Sequence, residues 1–301
     1  KMFAGMWPCY FYNELHISYV TNGVHYPTWA AKEWRNMLED DSMKSISHVK
    51  QPNWEIVENI PDTKIWDTRN VLRKRLIKLI NKRLSEPHMV RFESPREVIE
   101  MQEKLSDKIL TIGFARRFAT YKRAYLLFKD LDRLDKLVNN PDQPVQILFA
   151  GKAHPNDKAG QDLIKQIIEI SKQPRFIGRI VFLQNYDMEL ARHMIQGVDV
   201  WLNTPTRPLE ASGTSGQKAV MNGVLHFSVL DGWWVEGYKK DAGWALPMEN
   251  TYTEPEFQDE LDAETIYTLF ENEVVPAFYE RSQENIPIRW ISYIRNSLSQ
   301  I

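Results

Sequence analysis

Val198-Asp-Val-Trp-Leu202-Asn-Thr-Pro-Thr-Arg-Pro-Leu-Glu210-Ala-Ser212-Gly213-Thr214-Ser215-Gly216-Gln217-Lys218 is the stretch from which the rest of the chain can be read. It opens on a short, largely apolar run, the pattern of a strand covered by helices on both faces. It ends in a loop of two glycines and three hydroxyl residues leading into a helix. Successive amides converge in such a loop and no Cβ blocks approach, which suits phosphate or sugar hydroxyls. The carboxylate of Glu210 precedes the loop and the amine of Lys218 follows eight residues later. An amine at a glycine-rich helix start can form a Schiff base with an aldehyde cofactor, and the helix dipole can steady that cofactor's phosphate. The plain alternative is a surface lysine.

Working outward, similar apolar runs occupy 109–114, 145–150, 180–183 and 224–230 as well as 198–202, each joined to the next by a helical-looking segment. This alternation predicts an α/β fold built on a parallel sheet. Ligands in such sheets sit outside the carboxyl ends of the strands, so the loops after the runs are the places to seek chemistry. The first loop holds Arg116, Arg117, Lys122 and Arg123, four cations in eight residues, at what reads as a helix start. A helix N-terminus disfavours cations unless an anion is present, so the cluster predicts a bound phosphate. Arg grips phosphate in a fork and Lys adds a compact charge. The second loop carries Gly151-Lys152-Ala-His154, divided evenly between a plain turn and a functional one. The third carries Tyr186, which can stack on a flat ring or cover the sheet edge. The fifth carries Asp231, Trp233, Trp234 and Glu236, whose two carboxylates invite a hydrolase reading.

The flanks are less specific. Residues 1–27 end in a turn-rich stretch around Asn22-Gly23 and Tyr26-Pro27, with Thr28 placed to cap a following helix. Apolar residues at Ile65, Leu72, Leu76, Leu79 and Ile80 predict a long helix over 62–84 with a basic outer face in solvent. Closing helices are expected over 262–279 and 287–298. The formal charge of −2 leaves no basic excess for nucleic acid. A single Cys9 excludes an internal disulfide framework, and there is no metal-ligand spacing. No apolar run approaches the ~20 residues of a membrane span, so no membrane partner and a cytoplasmic setting are expected. The chain starts at Lys1 in sequence that reads as mid-protein, which suggests a fragment.

Taken in order, the Arg-Arg-x-x-x-Tyr-Lys-Arg motif at 116–123, the Gly151-Lys152 turn, Asn185-Tyr186 and the Glu-Ala-Ser-Gly-Thr loop ending in Lys218 resemble the α-glucan (glycogen, starch, maltodextrin) phosphorylase family, especially its short bacterial and archaeal branch. The similarity runs from Thr21-Asn22-Gly23 to the final helices. It implies the two-lobed glycosyltransferase B fold, with this chain as the Rossmann-like C-terminal lobe: 1–27 an interlobe junction, 28–301 the catalytic lobe, and the first lobe absent. The resemblance further implies that Lys218 holds pyridoxal 5'-phosphate as an imine. Thr214, the amide of Ser215, Tyr186 and Arg116 would contact that cofactor. Arg117 and Lys122 would bind the substrate phosphate, and Asn22, Glu210, Ser212 and Gly213 the hydroxyls of the transferred glucose. The implied reaction is reversible phosphorolysis of an α-1,4-glucan to glucose 1-phosphate with inorganic phosphate. The catalytic set is then Lys218, Arg117, Lys122 and Glu210, with a homodimer left open for the full-length protein. The isolated chain is expected to be inactive and to hold its cofactor weakly, if at all. Gly216, Gln217 and Arg116 depart from the larger members, which place Asn, Met and Lys there.

Two rivals remain. A sugar-nucleotide glycosyltransferase, such as a glycogen synthase, shares the fold and the Arg and Lys pair, but needs a carboxylate to bind ribose where Lys218 stands. A non-catalytic glucan-binding domain needs none of the phosphate-handling cations.

Overall fold

The computed structural model describes residues 4–11, 14–18, 20–44, 50–86, 94–247 and 254–300. A small antiparallel ribbon, β1 (Glu39–Lys44) and β2 (Lys50–Pro52), stands apart from the main sheet. The main sheet contains β3 (Leu110–Ala115), β4 (Val145–Ala150), β5 (Ile180–Leu183), β6 (Val200–Asn203), β7 (Leu225–Val229) and β8 (Gly243–Leu246). All pairings in it are parallel, in the order β5-β4-β3-β6-β7-β8. That is a doubly wound, Rossmann-like α/β sheet, and its order reverses between β3 and β6, where a crevice opens at the carboxyl ends of the strands. Five of the six strands match the expected runs. β8 escaped notice because Gly-Trp-Ala-Leu is too short to carry a pattern and follows the charged Lys239, Lys240 and Asp241.

The strands are buried on both faces because alternate side chains feed two cores. Ile112, Phe114, Ile147, Phe149, Val200 and Phe227 point to one, and Leu148, Ala150, Val181 and Trp201 to the other. Each fully buried Ile, Leu or Phe contributes roughly 1.5–3 kcal/mol, which makes the sheet the rigid part of the molecule. In chain order the helices are α1 (Tyr26–Trp29), α2 (Lys32–Leu38), α3 (Asp62–Leu84), α4 (Pro95–Lys104), α5 (Leu131–Val138) and α6 (Lys158–Ser171). They continue as α7 (Met188–Gly197), α8 (Thr214–Val220), α9 (Trp234–Gly237), α10 (Pro255–Leu269), α11 (Val275–Tyr279) and α12 (Ile288–Gln300). Residues of α10, α11 and α12, among them Ile266, Phe278 and Trp290, complete the first core, and Leu76, Ile80, Leu190 and Met194 of α3 and α7 complete the second. None of the described helices is long and apolar enough to cross a membrane.

Three local expectations are corrected. The helix over 62–84 is present, but its basic face is only partly outward: Arg69 and Arg73 are 0% and 1% exposed. Arg69 donates to the carbonyls of Gln196, Val198 and Asn222, and Arg73 pairs with Asp199 at 2.8 Å. The arginines turn inward because α3 crosses the end of α7 so closely that a Cβ on Gly197 would lie 2.6 Å from Leu76 Cβ, which brings carbonyls within their reach. Thr28 does not cap a helix but lies inside α1, where its hydroxyl meets Nδ1 of the N-cap residue His25 at 2.7 Å. Pro27 in the first turn starts that helix, since proline sacrifices no needed amide there. The first closing helix begins at Pro255 and runs through a π turn at Phe270–Val274 into α11.

Candidate active site

The crevice is built from segments that follow the strands. After β3 the chain runs beside the segment that follows β4: the amides of Arg116 and Phe118 donate to the carbonyls of Ala150 and Lys152 at 3.1 and 3.0 Å. Only two short 3-10 turns, Thr120–Lys122 and Leu126–Phe128, follow, and the next α-helix starts at Leu131. The helix dipole invoked for this cation cluster is therefore absent, because the backbone amides here are spent on the neighbouring loop.

The four cations also part company. Arg123 is 3% exposed and entirely structural, with Nη1 and Nη2 on Asp259 and Asp262 of α10 at 2.8 and 2.7 Å. Its Nε and Nη2 donate to the carbonyls of Thr204 and Pro205. Arg116 and Lys122 instead converge on one oxygen of Glu210, Arg116 Nη2 at 2.5 Å, while Arg116 Nη1 donates to Asn203 Oδ1 at 3.0 Å. Arg117 is exposed and has no carboxylate partner among the described residues. Burial alone would push the Glu210 carboxyl upward, but Arg116 and Lys122 together outweigh it and hold the group below the usual carboxylate range.

The glycine-rich loop leads into α8 through Gly213, whose φ of 82° is the left-handed region that glycine enters freely. Tertiary packing explains the departure at Gly216, where a Cβ would lie 2.7 Å from the His226 ring and 2.9 Å from Trp233 Nε1. The His226 ring stacks on Trp233 and meets Trp234 edge-on, and burial depresses its pKa to about 3, so it is neutral. Thr214 and Lys218 are four residues apart and share a face of α8. The Lys218 amine lies 4.1 Å from the centre of the Trp29 ring, with no carboxylate partner among the described residues. Burial lowers its pKa. Trp29 is held in turn by Asn222 Nδ2 and Gln196 Nε2, which donate to its carbonyl at 3.0 and 3.1 Å.

Asn22, Arg116, Tyr186, Glu210, Ser212, Gly213, Thr214 and Ser215 line one open cleft of about 420 Å³. Lys122 reaches its edge through Glu210. Lys218 and Arg117 are not among the residues lining it: Lys218 lies one turn further along α8, and Arg117 faces outward. The His154 turn lies outside the cleft, with His154 exposed and its Nδ1 accepting from the Asn156 amide. Gly151 is fully used in packing, since a Cβ there would sit 2.0 Å from the Arg116 carbonyl. Asp231 and Glu236 do not act as a hydrolytic pair. Asp231 accepts the Glu210 amide and Glu236 takes the Thr21 hydroxyl. Sequence reading missed Trp29, because nothing in residues 21–30 signals a contact to a helix some 190 positions away.

Comparison with known proteins identifies the family. The family model described as carbohydrate phosphorylase matches residues 12–243. The chain belongs to that family. Among similar family members, the glycogen phosphorylase of Aquifex aeolicus is 44% identical over 290 residues, which cover 96% of this chain and 42% of that protein. The maltodextrin phosphorylase of Thermococcus litoralis is 42% identical over all of this chain and 35% of its own length. A glycogen phosphorylase of Mycobacterium tuberculosis is 38% identical with the same coverage. The chain thus spans roughly two-fifths or less of these carbohydrate phosphorylases. Members of the family in general imply pyridoxal phosphate chemistry, and the residues that line the cleft fall within the matched segment 12–243.

Proposed function

We propose that the full-length protein catalyses reversible phosphorolysis of α-1,4-glucans to glucose 1-phosphate, with pyridoxal 5'-phosphate on Lys218. The observation that carries this reading is the loop 210–218. It presents a carboxylate to two cations at the topological switch point and, eight residues on, an amine left without a carboxylate partner.

The residues fit the cofactor on their own chemistry. Lys218 is half-buried against an indole ring and burial disfavours its ammonium, which favours the nucleophilic free amine. At the start of α8 the amides of Thr214 and Ser215 have no helical partner and face an anion favourably. Arg116 Nε is buried without a hydrogen-bond partner. Thr214, Ser215, Arg116 and Tyr186 would hold the cofactor, whose phosphate would supply a proton-transfer group. Arg117 and Lys122 would bind the substrate phosphate, and Arg116 would offset the repulsion between two phosphates in one partly dry cleft, on the order of several kcal/mol. Asn22, Glu210, Ser212 and Gly213 take the glucose hydroxyls. Glu210 already satisfies Arg116 and Lys122, so the incoming phosphate shares donors with it rather than meeting bare charge.

The reading places the protein in the cytoplasm, with residues 28–301 as the C-terminal lobe and the 301-residue chain alone inactive. A sugar-nucleotide transferase is disfavoured by the amine at 218. The test is spectroscopic: purified full-length protein should absorb in the near ultraviolet or visible as a lysine-bound pyridoxal, and Lys218→Ala should abolish the band. Absence of the band in the parent, or turnover of a sugar nucleotide but not of glucose 1-phosphate, sinks the reading.

A further inference from the structure

The acidic and aromatic segment after β7, Asp231-Gly-Trp-Trp-Val-Glu236, takes no direct part in the chemistry above, yet it grips the sugar side of the cleft from two directions. Asp231 Oδ2 accepts the Glu210 amide at 2.8 Å, and the Trp233 amide donates to the Ser212 carbonyl at 2.8 Å. Between them Gly232, at a φ of 57°, lies so close that a Cβ would fall 2.5 Å from the Ser212 carbonyl oxygen and 3.2 Å from Glu210 Cγ. The Trp233 ring closes over Gly213, 3.3 Å from where its Cβ would be. On the other side Glu236 accepts the hydroxyl of Thr21, the residue before Asn22. Residues 204–213 belong to no helix or strand, and 20–25 none either, so neither cleft wall is held by a regular ladder.

We infer that Asp231 and Glu236 are positioning residues that set Glu210 and Asn22 at the spacing a hexose requires. This rests on the sugar-binding role proposed for those two residues. A carboxylate is the suitable acceptor for a partly buried amide, because a charge-assisted hydrogen bond is about twice as strong as a neutral one. Burial raises the Asp231 pKa, with the Glu210 charge adding to the rise and the Glu210 and Gly232 amides and Arg207 opposing it. An Asn in its place keeps an acceptor oxygen, and an Ala does not.

Two measurements test the inference. In the full-length protein, Asp231→Ala should raise KM for glucose 1-phosphate roughly tenfold, the loss of about one hydrogen bond to a charged group. Bound pyridoxal phosphate and KM for inorganic phosphate should stay within about twofold, and Asp231→Asn should recover most of the loss. Thr21→Val and Glu236→Ala should each raise the same KM, with the double variant no worse than the worse single one, since one contact is removed twice. A parent KM in Asp231→Ala, equal losses for sugar and phosphate, or an Asp231→Asn as impaired as the alanine would overturn the inference. Hydrogen exchange at the amides of 209–213 reads the clamp without any activity. Asp231→Ala should speed exchange at Glu210 roughly tenfold and Asp231→Asn much less, and unchanged exchange in Asp231→Ala would refute the clamp. A parent that exchanges as expected but makes no glucose 1-phosphate would overturn the phosphorolysis reading while leaving the clamp standing.

Discussion

Two clusters in this molecule have the same charges and different surroundings. In each, two cations flank one carboxylate: Arg69 and Arg73 on Asp199 beneath α3, and Arg116 and Lys122 on Glu210 in the cleft. The first is sealed, with side chains 0–1% exposed, and apart from Arg69 Nε its remaining donors are taken by the carbonyls of Gln196, Val198, Asn222 and Asp107 and by Asn70. The second is 8–12% exposed, lines an open cleft, and keeps Arg116 Nε unpaired with Arg117 beside it in solvent. Charge count does not separate a structural keystone from the cleft cluster proposed to meet an anion. Access to the open cleft does.

The comparison breaks most visibly if the sealed carboxylate is removed. Asp199→Ala should destabilise the chain by about 3–5 kcal/mol, because it strands two buried guanidiniums. Chemical denaturation measures the loss, and a loss no larger than that of Glu210→Gln would erase the distinction between the clusters. A smaller effect is expected from His226, which lies under the glycine-rich helix and is held neutral chiefly by burial. Its folded pKa of about 3 lies below the reference 6.5, so the unfolded chain takes up the proton first. The stability it contributes is full above pH 6.5 and drains as pH falls toward 3. Urea midpoints across that window should fall for the parent and fall less steeply for His226→Gln. The smallest stability change belongs to Glu210→Gln, about 1 kcal/mol, because the freed cations face the cleft. It should sharpen the contrast in another way: with the carboxylate neutral, inorganic phosphate should protect the variant against thermal unfolding more than it protects the parent.

Much of the fold was legible because a strand buried on both faces has to be apolar along its length, and five such runs stand out between residues 109 and 230. The glycine-rich loop was legible for a similar reason, since Gly213 occupies a backbone conformation that other residues avoid. Arg123 and the basic face of α3 were misread because a cation's partner lies far away in sequence, and a local pattern cannot tell a solvated guanidinium from one tied to Asp259 or Asp199. Asp231 and Glu236 looked like an acid and base pair until their partners, a backbone amide and a threonine hydroxyl, came into view.

By itself, the sequence determined that this chain forms a parallel α/β sheet with a carboxylate, a glycine-rich turn and an amine within nine residues, because burial period, glycine conformation and side-chain chemistry are local properties. Tertiary structure alone decided which of its cations are free to meet an anion, which carboxylates are spent on backbone, and that Trp29 lies beneath Lys218. Those outcomes depend on which distant groups the packed sheet brings within about 3–4 Å of one another, the range over which hydrogen bonds and ion pairs act.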